Sequence, residues 1–149
     1  MKKLSVLSLS FAVMFFLSAC NKDESPEATI AGEWVIAEIG STWTNEVTTG
    51  EAIGYKESYL FKQNGTFVKT RAGSRSDGQA TGTFTFKEAP SNELNIKYYL
   101  LLTFETGTGL IISCYSSAGI EEFSLFEDGR LLNGAGACDN AILTYRKRN

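Results

Sequence analysis

Apolar and polar residues alternate along almost the whole chain after residue 30, and this alternation constrains the fold more than any other feature. In Tyr55–Lys62, Tyr55, Tyr59 and Phe61 fall on one face, and in Glu93–Phe104 the apolar side chains again stay in phase. A two-residue repeat places successive side chains on opposite faces of a strand. No window has the 3.6-residue repeat of a long amphipathic helix. We therefore predict an all-β chain.

Turn sequences divide this pattern into eight or nine strands. Asn64-Gly65 joins Tyr55–Lys62 to Thr66–Thr70, and Glu127–Arg130 leads in the same way into Leu131; both are hairpin signals. The other predicted strands are Gly32–Ile39, Thr81–Lys87, Glu93–Phe104, Gly109–Tyr115, Ile120–Phe126 and Ala141–Lys147, and Trp43–Gly54 is predicted as a loop or short helical piece. Strands joined in order by short turns favour a barrel or a sandwich, and we predict an antiparallel up-and-down barrel.

The first 19 residues have the pattern of a secretory signal peptide. Lys2 and Lys3 form a basic start, Leu4–Leu17 is an apolar run interrupted only by serines, and small residues lead into Cys20. The run is shorter than the roughly 20 residues that a membrane-spanning helix needs. We predict cleavage before Cys20; the alternative is an ordinary signal peptide followed by an incidental cysteine.

Leu17-Ser18-Ala19-Cys20 resembles the lipobox of bacterial lipoproteins. The resemblance implies that Cys20 carries a diacylglyceryl group and, after cleavage, a third acyl chain on its amine. Several acyl chains anchor a protein firmly to a membrane. Residues 20–30 then form a lipidated tether, in which Lys22-Asp23-Glu24 resembles the signal that exports some Gram-negative lipoproteins to the cell surface. We predict a lipid-anchored protein of the outer membrane that faces the cell surface; for the triplet, a merely solvated linker is the alternative.

The composition of the remaining 130 residues narrows the function. Without Lys2 and Lys3 there are 12 basic and 17 acidic side chains, a net charge of −5, which disfavours nucleic acid and anionic membrane faces as partners. The chain has no histidine, which excludes a Ser-His-Asp triad and histidine-bearing zinc sites. Glu121 and Glu122 point to opposite faces of a strand, and we interpret both as solvated. We predict no enzyme activity, no metal and no cofactor.

Cys114 and Cys138 are the cysteines that remain in the exported domain. Disulfides persist in exported proteins, and a bridge here would tie the turn before the last strand to the rest of the sheet. We predict this disulfide; the alternative is two buried thiols that behave as small apolar side chains.

Gly32-Glu33-Trp34 at the start of the first strand resembles the Gly-x-Trp of lipocalins, and Arg146 near the end of the last strand, with Arg148 as the alternate, resembles their closing arginine. With Asn64-Gly65-Thr66-Phe67, the likeness extends to small lipocalin-like lipoproteins of Gram-negative bacteria, over roughly residues 30–148. The resemblance implies that residues 31–149 form one lipocalin-like barrel, in which Trp34 and Arg146 close one end.

The resemblance also implies a small hydrophobic ligand inside the barrel. The candidate ligand-binding residues are Trp43, Tyr59, Phe61, Phe84, Phe86 and Tyr98. These aromatic side chains are either core or, in part, the walls of an apolar cup beneath Trp43. A different class of function is a surface subunit with a solid barrel that binds another protein through its loops. A filled barrel with exposed apolar loop residues would favour this second hypothesis.

Overall fold

The computed structural model describes residues 25–73, 76–91, 93, 95–114 and 118–149. In this part of the chain nine strands follow a short helix, α1 (Pro26–Ile30). The strands are β1 Gly32–Gly40, β2 Val47–Thr49, β3 Lys56–Phe61, β4 Thr66–Ala72, β5 Gly78–Glu88, β6 Ile96–Thr106, β7 Ile120–Phe126, β8 Arg130–Asn133 and β9 Ile142–Lys147. Single 3-10 turns cover Gly50–Ile53, Thr108–Leu110 and Gly134–Cys138.

The sheet closes on itself into a barrel. From β3 to β9 each strand pairs antiparallel with the next, and β1 pairs with both β3 and β9. The β1–β9 register runs from Trp34 opposite Lys147 to Gly40 opposite Ile142. Strand β2 is an additional strand that pairs with the second half of β1. The prediction of an all-β, lipocalin-like, up-and-down barrel is confirmed: eight strands close it and the ninth extends one edge.

The Asn64-Gly65 hairpin is confirmed and sets the register of β3 and β4. The side-chain oxygen of Asn64 accepts a hydrogen bond from the Thr66 amide, and Gly65 has φ +80°, a conformation that favours glycine. The turn places Phe61 opposite Phe67. Every pair of residues that lie opposite each other in β3 and β4 then shares one face of the sheet. The predicted second hairpin, through Asp128-Gly129, likewise joins β7 to β8.

The predicted strand Gly109–Tyr115 is wrong for the part that the structure describes. Thr108–Leu110 is a 3-10 turn, and the chain after it has no strand pairing up to Cys114; Tyr115 lies outside the described residues. Leu110 is buried, and Ile111 and Ile112 pack against the core. The apolar run therefore covers an end of the barrel and does not add a strand. The predicted loop Trp43–Gly54 was also incomplete, because it contains β2.

Helix α1 covers the opposite end of the barrel, which we call the closed end. Ser25 caps the helix, and Ile30 at its end is fully buried. The indole Nε1 of Trp34 donates a hydrogen bond of 2.7 Å to the Ile30 carbonyl, and Lys147 Nζ donates one of 3.1 Å to the Thr29 carbonyl. Pro26–Ile30, the last part of the predicted tether of residues 20–30, therefore belongs to the folded unit.

The proposed closing pair of Trp34 and Arg146 does not form. Trp34 is buried inside the barrel and lies opposite Lys147 in the β1–β9 register. Arg146 lies opposite Val35 and is exposed. Its guanidinium donates a hydrogen bond to the Asp128 carbonyl. Successive strand residues face opposite sides, so an error of one position moves a side chain from the interior to the surface. The alternate, Arg148, binds Glu33 at the surface. Lys147 is the basic residue of β9 that reaches the closed end.

Candidate functional site

The end of the barrel away from α1, which we call the mouth, is filled by the connection between β6 and β7. Leu110 in this connection is only 6% exposed, and Ile111 and Ile112 pack against the core. The Leu110 carbonyl accepts a hydrogen bond of 2.7 Å from Lys69 Nζ, and the Ile112 amide donates one of 2.7 Å to Glu121. These bonds attach the connection to side chains inside the barrel. The connection is therefore a plug, held by polar contacts as well as by packing.

Four charged side chains lie inside the barrel beneath this plug, and we call them the buried charge cluster: Glu57, Lys69, Arg71 and Glu121. Lys69 Nζ lies 2.8 Å from Glu121 Oε1 and 3.7 Å from Glu57 Oε1, and all three side chains are fully buried. Arg71 Nε donates to the second oxygen of Glu57. Two acids and two bases give the cluster no net charge, which is the condition under which buried charges are tolerated.

Two tyrosine hydroxyls complete the cluster. Tyr59 donates to Glu121, and Tyr145 donates to Glu57. Burial, and then the neighbouring carboxylates, raise the pKa of both phenols well above the ordinary tyrosine value. Burial also raises the pKa of Glu121, although Lys69 acts in the opposite direction. The phenols therefore stay protonated and act as hydrogen-bond donors to the two carboxylates.

The predicted disulfide between Cys114 and Cys138 is confirmed, with the two Cα atoms 5.7 Å apart. It joins the end of the plug to the 3-10 turn Gly134–Cys138, which leads towards β9. Beside the disulfide, the side-chain amide of Asn133 donates a hydrogen bond of 3.1 Å to the Ile112 carbonyl and accepts one from the Ala135 backbone amide. The bridge and this asparagine hold two connections together across the mouth.

Five of the six predicted ligand-binding residues contact one another in the interior. Their rings form a continuous chain, with centroid distances of 5.8 Å for Tyr59–Phe61, 5.1 Å for Phe61–Phe84, 5.5 Å for Phe84–Phe86 and 5.7 Å for Phe86–Tyr98. Tyr59, Phe61 and Phe84 are buried, and Phe86 and Tyr98 are partly buried against the core. These distances are typical of packed aromatic pairs. The five side chains form the core; their contact with a ligand stays a prediction.

The sixth residue, Trp43, is not brought near the others. It lies in the turn between β1 and β2, and 76% of its surface is exposed. The Ser41 hydroxyl accepts hydrogen bonds from the amides of Trp43 and Thr44, and Thr44 in turn contacts Glu46. Val47, at the start of β2, is 60% exposed. The structure therefore presents two apolar side chains on one ordered hairpin at the mouth.

The sequence analysis did not predict the buried charge cluster, although the alternation of the strands places its residues on the inward face. Glu57 falls on the same face of its strand as Tyr55 and Tyr59, and Lys69 falls on the same face as Phe67. The Asn64-Gly65 register then pairs Glu57 with Arg71, an acid opposite a base. The interpretation of Glu121 as solvated is wrong, because it shares the inward face of β7 with Phe123; Glu122 is exposed as expected.

The predicted signal peptide, the predicted lipidation site Cys20 and the triplet Lys22-Asp23-Glu24 lie outside the described residues. Within the described part, no helix is long and apolar enough to cross a membrane. Comparison with protein-family models, with curated proteins and with solved structures finds no match to this chain. The fold and the geometry of its surfaces are therefore the basis for the functional proposal.

Proposed function

We propose that this chain is a lipid-anchored interaction module of the outer membrane, which binds a protein partner through the hairpin that carries Trp43 and Val47. The observation that carries the proposal is the filled barrel. Ile30 and Trp34 occupy the closed end, aromatic rings the middle, and the buried charge cluster and Leu110 the mouth. A barrel packed in this way leaves its outer surface for binding.

Helix α1, which follows the proposed anchor in the sequence, and the hairpin lie at opposite ends of the barrel. Helix α1 is at the closed end, a few residues after Cys20, whereas β1 runs from Gly32 at that end to Gly40 at the mouth. Nine strand residues span roughly 30 Å. With three acyl chains on Cys20, the closed end would face the membrane and Trp43 would point away from it. Lys22-Asp23-Glu24 supports the outer leaflet as the location.

The partner that fits this hairpin is a basic protein surface with an apolar pocket. Trp43 borders a shallow depression of about 210 Å³ that Glu46 and Asp139 also line. The backbone of the turn that carries Trp43 is held by hydrogen bonds to Ser41, and tryptophan is enriched among the residues that dominate binding energy. The acidic neighbours, and the net charge of −5 that the chain would carry after the proposed cleavage, attract a basic partner.

In-cell photocrosslinking tests this proposal. A photoreactive residue at Thr42, next to the intact Trp43, should give one protein adduct of discrete mass. Trp43→Ser should reduce that adduct at least about tenfold, because loss of a central aromatic contact commonly weakens binding by 2 kcal/mol or more. Glu46→Lys should reduce it as well, and raised salt should have the same effect.

Two controls accompany this experiment. Leu101→Ser removes another exposed apolar side chain, on the barrel wall (39% exposed), and should leave the adduct unchanged. Cys20→Ala should move the protein from the detergent phase to the aqueous phase in a phase-separation assay. An adduct that is insensitive to Trp43→Ser would contradict the binding surface, and detergent partitioning of Cys20→Ala would contradict the anchor.

A further inference from the structure

A cleft opens in the barrel wall where β1 and β3 separate. The two strands pair only from Gly32–Phe61 to Val35–Ser58, and from Glu38 onward β1 pairs with β2 instead. The gap between them has a volume of about 450 Å³, which is within the usual range for small-molecule sites. Ile36, Ile53 and the ring of Tyr55 are among its apolar lining. The cleft shares no lining residue with the depression beside Trp43, and Glu57 of the buried charge cluster lies at its inner side.

The charge left uncompensated in the cleft is positive, although the whole chain is acidic. Of the two acids that line it, Glu33 is paired with Arg148 at 2.7 Å, and Glu57 is bound to Arg71 and lies near Lys69. Lys56 also lines the cleft and is exposed, and among the described residues it has no ion-pair partner. A free cation beside an apolar wall favours a ligand with both an anionic and an apolar part.

Behind the cleft, on the inward face of the sheet, lies a second donor that does not itself line the cleft. The Arg71 side chain is nine-tenths buried, and its Nη2 atom is the one buried side-chain polar atom of the described residues without a hydrogen-bond partner. Its guanidinium carbon lies 5.6 Å from the centre of the Tyr55 ring, and its Nε binds Glu57; both of these neighbours line the cleft. Buried hydrogen-bond donors normally have an acceptor, so Nη2 can still donate a hydrogen bond to an oxygen atom.

We propose that the β1–β3 cleft binds a small amphiphile with a carboxylate head group. The apolar part would lie against Ile36, Ile53 and Tyr55, and the carboxylate would be held by Lys56. Charge-assisted hydrogen bonds of this kind are the stronger ones in proteins and give preference for an anion over a neutral head group.

Three probes with the same tail and different head groups test the proposal: laurate, dodecanol and dodecyltrimethylammonium. Each is titrated, below its aggregation concentration, into the soluble protein obtained with Cys20→Ala, which carries no acyl chains of its own. Laurate should bind about two- to fivefold more tightly than dodecanol, as expected for one exposed ion pair, and the cationic probe should bind weakest. Laurate should shift the methyl resonances of Ile36 and Ile53.

Lys56→Gln provides the matched variant, because this side chain is exposed and its loss does not disturb the core. It should bring the affinity for laurate down to that for dodecanol, whereas Lys62→Gln, an exposed lysine outside the cleft, should leave it unchanged. Equal binding of laurate and dodecanol, no binding of laurate, or equal effects of the two lysine substitutions would overturn the proposal. Shifts confined to other parts of the barrel would overturn it as well.

Discussion

Lys69→Met is expected to lower the free energy of unfolding by about 3–5 kcal/mol, the usual cost of removing one partner from a buried ion pair. The substitution leaves the carboxylate of Glu121 buried without its cation, 2.8 Å from the vacated position, and also removes the bond to the Leu110 carbonyl. Methionine fills a similar volume, so the loss reports on charge and hydrogen bonding more than on packing. Urea unfolding followed by tryptophan fluorescence measures it.

A double substitution shows whether the charge is responsible. Adding Glu121→Gln to Lys69→Met removes the stranded carboxylate and should recover about 1 kcal/mol or more, within the range of coupling energies between contacting residues. Lys62→Met, at an exposed lysine, should change the stability by no more than about 0.5 kcal/mol. A loss below about 1 kcal/mol for Lys69→Met would show that the buried charge cluster contributes little to the fold.

Replacing both Cys114 and Cys138 by serine should lower the free energy of unfolding by about 3 kcal/mol. The two residues are 24 positions apart, and the chain-entropy estimate for a loop of this length is of that order. The loss should also be local, because the bridge holds the end of the plug to the turn before β9. Hydrogen exchange at the amides of Leu110 and Ile112 should therefore accelerate more than exchange in β4 and β5.

The reduced natural protein is the control for this double variant. Reduction should produce the same loss of stability and the same pattern of exchange, since both treatments remove the bridge and nothing else. If neither treatment changes the unfolding midpoint, the bridge does not constrain the mouth of the barrel. If exchange accelerates evenly over all strands, its effect is not local to the plug.

The strands could be predicted because their burial follows the two-residue period directly. In β3, β5 and β7 the residues that read as apolar and in phase are the buried ones, and Asn64-Gly65 fixes a register on its own. The Cys114–Cys138 pairing could be predicted because few cysteines were available. Strand burial and the hairpin register depend on local sequence, and the disulfide pairing follows from the number of cysteines.

The plug and the buried charge cluster could not be derived in the same way. Leu110, Ile111 and Ile112 have the composition of a strand, and they turn inward because the mouth of a closed barrel needs covering, a condition that only the tertiary structure sets. Glu57, Lys69 and Glu121 have inward parity, but charged residues are rarely buried without partners. Glu57, Lys69 and Arg71 all come from the β3–β4 hairpin, but Glu121 comes from β7, which reaches them only when the barrel closes.

The claim that the barrel is filled can be tested directly by NMR titration with naphthalene, a compact neutral probe of apolar cavities. We predict no saturable shift of the methyl resonances of Leu100, Leu102 and Leu131, which point into the packed interior. We also predict a nuclear Overhauser effect between the Leu110 methyl groups and the α-protons of Gly78, because Leu110 Cδ1 lies 3.8 Å from where a Cβ on Gly78 would be and the plug stays in place. Saturable shifts of the interior methyl groups would contradict the account and would show an open cup inside the barrel.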